Sequence, residues 1–302
     1  MVCAEAALSD VDARRAHEGL TAVLEGRIPM FQMHYPCHAP DQKRWFLMYA
    51  APIRHAAGGA VVDDRPGTDV ARAPDREEDL PPRPLGEPAA VEEFAKLGND
   101  GMAELCAKMP DYFCGWLASL PMNSPNAAKE FERVIKNGAN GLQLHTNING
   151  KPLDEEEFRP IFEVAEKYNK PVFLHPSRGA FDLPDYKTEK KSKYEIWWTF
   201  GWPYETSAAM TRMVFSGFFE KLPTLRVITH HMGAMIPFFD GRVGPGLDQF
   251  GSRTSDEDYE GLLKRMERRP IDSFRMFYAD TALAGGRSGI RCGLDFFGAD
   301  HV

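Results

Sequence analysis

From residue 89 onward, short apolar runs alternate with longer stretches in which apolar positions recur every three or four residues. The runs mark strands, and the recurring positions mark helices with one buried face. Residues 89–108 place Val91, Phe94, Ala95, Leu97, Met102 and Leu105 along one side of a predicted helix. Tyr112 to Leu120 predicts a short strand ended by Pro121. The next helix opens at Ser124-Pro125, carries Phe131, Val134 and Ile135, and stops at Asn137-Gly138. Gly141 to Thr146 predicts a strand. Helix 154–168 then leads to strand 171–175, helix 204–219 to strand 226–230, and a helix within 257–268 to strand 274–280. Runs such as Val172-Phe173-Leu174 suit a parallel sheet covered on both faces. Repeated strand–helix units predict an α/β fold, either a barrel or a doubly wound sheet.

The chain before residue 89 reads differently. Residues 54–88 mix Gly, Pro, Ala and unpatterned charge, with Pro81, Pro82, Pro84 and Pro88 close together. Such a segment buries too little apolar surface to offset the entropy of ordering it, so disorder or loose attachment is expected. Residues 1–53 offer a helix near Val11 to Leu24 and little else. The expected organisation is an atypical, partly disordered region 1–88 followed by an α/β domain 89–302.

Composition narrows the function. The 302 residues are 43% hydrophobic and 26% charged, a globular balance. Lys and Arg number 36 against 44 Asp and Glu, a net charge of −8, so no basic stripe invites nucleic acid. The five cysteines form no C-x-x-C pair and fit neither a disulfide framework nor a cysteine zinc site. No apolar run nears the roughly 18 residues a membrane span needs. Charged residues, Glu5 to Arg15, stand where a signal peptide would be apolar. A cytoplasmic protein without membrane or nucleic-acid partners is expected.

Polar residues follow each apolar strand. His145, Thr146 and Asn147 come after Leu144; His175, Ser177 and Arg178 after Leu174; His230 and His231 after Thr229; Asp280 and Thr281 after Ala279. In a barrel these positions share the C-terminal face, where active sites are built. Converging imidazoles suit metal binding or proton transfer, because neutral imidazole is both ligand and base. Tyr194 to Tyr204 carries Trp197, Trp198, Phe200 and Trp202 between strand and helix. As a loop it reads as a lid over a planar substrate, an oligomer contact or ordinary packing.

Five stretches together resemble a known family. They are Phe173 to Pro176 (FLHP), Lys191 to Ser207 (KSKYEIWWTFGWPYETS), Thr229 to Val243 (THHMGAMIPFFDGRV), Phe277 to Leu283 (FYADTAL) and Gly293 to Val302 (GLDFFGADHV). The chain from about residue 86 is similar to amidohydrolase-related proteins grouped around aminocarboxymuconate semialdehyde decarboxylase, with the resorcylate and carboxyvanillate decarboxylases. The resemblance implies a TIM-type (β/α)₈ barrel with one divalent metal, zinc by expectation, at its C-terminal rim. It implies His175 as metal ligand and His231 as catalytic histidine, with His230 the alternative. Arg178, Trp198 and Asn147 are the expected substrate-binding residues. The implied substrate is a small aromatic or unsaturated carboxylate, and the implied assembly a homodimer.

Two family features are missing from the pattern. No His-x-His occurs; His34 and His38 are the nearest approach, and Pro36 between them disfavours a helix. No eighth strand bearing G-[TS]-D follows Val302. The expected barrel is therefore incomplete, with an aberrant first strand and no eighth. Three functions remain open at this stage: a metal-dependent decarboxylase or hydrolase, a non-catalytic binding or subunit-interaction protein, and a phosphate-binding enzyme using Gly285-Gly286.

Overall fold

A computed structural model describes residues 88–254 and 257–302, the backbone of two earlier strands, and Arg15, Glu18, Ala22 and Arg27. The chain divides into two units, one of residues 1–81 with 105–114, the other of 82–104 with 115–302. In the first, β1 (Phe31–Pro36) pairs antiparallel with β2 (Trp45–Ala50), setting His34 opposite Leu47. This hairpin corrects the reading of residues 1–53 as one helix and little else. The predicted helix near Val11 to Leu24 lies mostly outside the described residues, although Arg15, Glu18 and Ala22 are helical. His38 and the segment expected to be disordered, up to residue 87, also lie outside them.

The second unit is built on a five-stranded parallel sheet in the order β3 (Leu117–Ala118), β4 (Gly141–His145), β7 (Val172–His175), β8 (Val227–Thr229), β9 (Tyr278–Ala279). Spatial order follows chain order, as in the wall of a βα barrel. Ring closure is not seen among the described residues. A small antiparallel pair, β5 (Asn147–Ile148) and β6 (Lys151–Pro152), lies beyond β4.

Burial explains the strands. Leu142, Val172, Leu174 and Val227 are fully buried and Leu144 is 2% exposed. Each such side chain is worth about 1.5–3 kcal/mol of transfer free energy. Two of the helices bury one apolar face each. In α2 (Ala127–Lys136) the buried residues Ala127, Phe131 and Val134 are four and three apart. In α3 (Arg159–Lys167), entered by a 3₁₀ turn at Glu156–Phe158, they are Ile161, Phe162, Val164 and Ala165. Pro125 falls in the turn before α2 and is not its first helical residue.

Several expectations are corrected. Helix α1 (Pro88–Lys108) leaves Phe94 73% and Leu97 69% exposed, and its single buried residue among those described is Asn99. The Asn99 amide donates to the Ser119 carbonyl at 2.8 Å and to Glu130 at 2.9 Å, and accepts the Ser119 N–H at 3.0 Å. A hydrogen-bonded amide thus takes the place of the expected apolar stripe. The strand 112–120 shrinks to Leu117–Ala118. The tryptophan segment is helical, forming α4 (Ile196–Thr199) and the start of α5 (Gly201–Phe215), which ends before the short α6 (Phe218–Lys221). After α7 (Tyr259–Arg265), Phe274 closes α8 (Pro270–Phe274) instead of opening a strand, because Pro270 starts a helical turn. Helix α9 (Arg287–Phe297) completes the unit. No helix among the described residues is long and apolar enough to cross a membrane.

Candidate active site

Parallel register brings the strand-end residues together. His145 and His175 are direct partners across β4 and β7, with ring centroids 6.1 Å apart. His175 lies 5.1 Å from His230 and 5.6 Å from His231, and those two lie 6.0 Å apart. Trp202, at the start of α5, meets the His175 ring edge-on at 5.1 Å and lies tilted 31° to His231 at 6.1 Å. The four histidines noted from sequence therefore sit on one rim, and an indole joins them.

Two of the imidazoles are oriented by different acceptors. His175 Nδ1 donates to its neighbour's carbonyl, Pro176 O, at 2.8 Å. Since a carbonyl only accepts, Nδ1 carries the hydrogen and Nε2 keeps its lone pair. Burial pushes the His175 pKa down to about 4, reinforced by charge on His230 and the other histidines. His230 Nδ1 lies 2.8 Å from Asp280 Oδ2, while its Nε2 is buried with no hydrogen-bond partner. Asp280 Oδ1 also accepts the backbone N–H of His231 at 2.8 Å and of Ala282 at 3.0 Å. Burial acts to raise the Asp280 pKa, but the bonds from His230, Ala282 and His231 outweigh it and hold the carboxyl below its ordinary value.

The segment after β8 is unusual. His231, Met232, Gly233 and Ala234 all have positive φ, from +55° to +68°. Left-handed backbone costs a non-glycine residue roughly 1–2 kcal/mol. The hydrogen bonds of Asp280 and the Met235 N–H to Ser207 Oγ, 3.0 Å, hold it there. Gly233 is needed for a second reason: a Cβ there would lie 2.5 Å from the Phe297 ring. Strain of this kind clusters at functional sites.

The expected substrate-binding residues divide. The Arg178 side chain lies against Gly201, where a Cβ would come within 2.9 Å of its Cδ, and its Nε is buried without a hydrogen-bond partner. Its carbonyl accepts the Trp202 Nε1–H at 2.9 Å. Asn147 is engaged by the protein itself. Its amide donates to Ser177 O at 2.8 Å and Glu205 at 2.7 Å, and its Oδ1 accepts the Gly150 N–H at 3.0 Å. That arrangement braces the segment after β4 against the segment after β7 and α5. Trp198 is 45% exposed and packs edge-on against Trp202 at 6.3 Å, so Trp202 and not Trp198 touches the histidines. Sequence reasoning missed Trp202 as the contacting indole and Asp280 as the acceptor of His230. The spacing of Trp202 and Glu205, three apart on one helix face, was the available signal.

Among the described residues, no three of His, Cys, Asp and Glu are placed to hold an ion. A catalytic divalent metal takes about three protein ligands, so the described residues do not fit a complete centre.

A parallel α/β sheet with imidazoles, an acid and an arginine at its C-terminal strand ends defines an enzyme-like rim. The chain belongs to the amidohydrolase family, which it matches over residues 31–302. It is 35% identical over 158 residues to 2-amino-3-carboxymuconate-6-semialdehyde decarboxylase of Dictyostelium discoideum, covering 52% of this chain and 42% of the relative. The matched stretch is thus under half the length of that relative. A 2,6-dihydroxybenzoate decarboxylase complexed with 2,6-dihydroxybenzoate has a similar structure, with a TM-score of 0.60, 26% identity, and coverage of 72% of this chain and 66% of that one. A 5-carboxyvanillate decarboxylase of Novosphingobium aromaticivorans with bound manganese shares the fold, with a TM-score of 0.61, 24% identity and coverage of 72% and 62%.

Proposed function

We propose that this protein decarboxylates a small aromatic or unsaturated carboxylate at the rim formed by β4, β7, β8 and β9. The observation that carries the reading is the convergence of His175, His230 and His231 beside Trp202, with Asp280 on His230 Nδ1. Relatives that act on such carboxylates support it.

Decarboxylation needs a grip on the carboxylate, a surface for the planar carbon framework, and a proton for the carbon that loses CO₂. Arg178 is assigned the grip: its buried, unpartnered Nε–H is a donor that a carboxylate would satisfy. Trp202 is assigned the planar surface. The electrons of the breaking C–C bond pass to the ring carbon, CO₂ leaves, and a proton takes its place. His231 is assigned as the general acid, with the His230–Asp280 pair holding a proton beside it. His175 Nε2 is the expected donor to a divalent metal, zinc by expectation. The described residues do not complete that centre. A homodimer in the cytoplasm completes the reading, and the exposed aromatics Trp198, Phe200 and Tyr204 offer a surface for the second copy.

The test is CO₂ release by the purified chain from 2,6-dihydroxybenzoate and a panel of hydroxylated and unsaturated carboxylates, with and without zinc or manganese. CO₂ formed in step with the decarboxylated product supports the assignment. No release from any member, with either metal, overturns it.

A further inference from the structure

Glu205 takes no part in the chemistry assigned above, yet it stands where three strand-end segments meet. It lies on the second turn of α5, and its Oε1 accepts from Asn147 Nδ2 at 2.7 Å and from Thr146 Oγ1 at 3.4 Å. Both donors are in turn tied to the segment after β7. Thr146 N–H donates to His175 O at 3.0 Å, Ser177 N–H to Thr146 Oγ1 at 3.0 Å, and Asn147 Nδ2 to Ser177 O at 2.8 Å. Thr146, at the centre of this stitching, is 2% exposed. One oxygen therefore closes a network in which the peptide carrying His175 is held on both sides.

The same helix carries two further ties. Trp202, three residues earlier, donates to Arg178 O at 2.9 Å and packs on His175 and His231. Ser207, two residues later, accepts the Met235 N–H at 3.0 Å and so fastens the left-handed segment that presents His231. The first half of α5 thus touches the segments after β4, β7 and β8. Within it, Glu205 Oε1 accepts from two side chains of the segment after β4, Thr146 and Asn147.

We propose that Glu205 is a positioning residue: through Asn147 and Thr146 it sets the spacing of the β4 and β7 ends and thereby the orientation of His175. Its role is as a hydrogen-bond acceptor, so the neutral amide of glutamine, which keeps a carbonyl oxygen at the same reach, substitutes for it and alanine does not. This rests on the decarboxylase reading for its turnover readout alone.

The experiment compares Glu205→Ala, Glu205→Gln and Asn147→Ala in the full chain, by thermal melting, by steady-state kinetics on an aromatic carboxylate, and by ¹H–¹⁵N spectra of the histidine rings. In folded Glu205→Ala, kcat falls about tenfold to a hundredfold, as small misplacements of reacting groups do, while KM changes by less than about threefold. The His175 ring signals shift in Glu205→Ala and in Asn147→Ala and stay in place in Glu205→Gln, which also recovers most of kcat. Unmoved His175 signals in folded Glu205→Ala, or a glutamine variant as impaired as alanine, overturns the proposal. If Glu205→Ala does not fold, unmoved His175 signals in Asn147→Ala overturn it. The ring spectra need no turnover, so they decide the positioning role even where the chain releases no CO₂.

Discussion

The two halves of the rim are held in opposite ways. On the β4–β7 side the hydrogen-bonding groups of Thr146 and Asn147 are met by the protein, through Ser177, Gly150 and Glu205. On the β8–β9 side the chain runs through four consecutive positive-φ residues and leaves His230 Nε2 buried and unpartnered. The first half braces itself through Thr146 and Asn147 and leaves Arg178 Nε unpartnered, with one non-glycine residue, Asn149, at positive φ; the second concentrates three such residues beside an open imidazole nitrogen. Satisfied networks orient, and unsatisfied groups under strain are free to meet a substrate.

Breaking the strained half should do the most damage to activity. His231→Ala removes the proposed acid and should lower turnover by about 10²–10⁴-fold in the CO₂ assay. A variant with unchanged turnover would move the acid role to His230. The next contrast is in stability. Asp280→Ala strands the N–H groups of His231 and Ala282 and the His230 Nδ1, all bonded to one carboxylate, and should cost roughly 2–3 kcal/mol in denaturant unfolding. Asn147→Ala should cost less, about 1 kcal/mol, because the exposed Gly150 and the half-buried Ser177 and Glu205 it leaves behind can turn to water. Equal losses would mean that the two halves are not built differently.

Acid sharpens the same comparison with the smallest effect. The Asp280 pKa is lower in the folded protein than its ordinary value, so its contribution to stability is present above that value. The unfolded chain binds the proton first as the pH falls, and the contribution is lost below about pH 4. Asp280→Ala should therefore show a weaker acid destabilisation than the wild-type chain in melting curves between pH 5 and pH 3.

Much of the second unit was legible from sequence where a buried face demands apolar residues. Strands β4, β7 and β8 fall within a residue or so of their expected bounds, since Leu142 and Leu144, Val172 and Leu174, and Val227 and Thr229 alternate on a buried face with the half-buried Gln143, Phe173 and Ile228 between them. The helical stripe of α2 was legible for the same reason. Helix α1 was not: its apolar positions have the right spacing, but spacing says nothing of whether a neighbour is there to cover Phe94 and Leu97. The aromatic run 197–202 misled in the same manner. Bulky residues between strand and helix suggested a loop, whereas the backbone turns helical and sends Trp202 inward while Trp198 stays half exposed.

The amino-acid order by itself determined which side chains could share a rim, because parallel strands align their C-terminal ends and each of these strands is followed by polar residues. Partner choice lay beyond it. His230 finds Asp280 fifty positions away, Asn147 turns its amide to Glu205 rather than outward, and Trp202 reaches the imidazoles ahead of its more exposed neighbour. Local pattern places a residue on a face of an element. The packing of one element against another fixes the last few ångströms, and hydrogen bonds and proton transfer are decided at that distance.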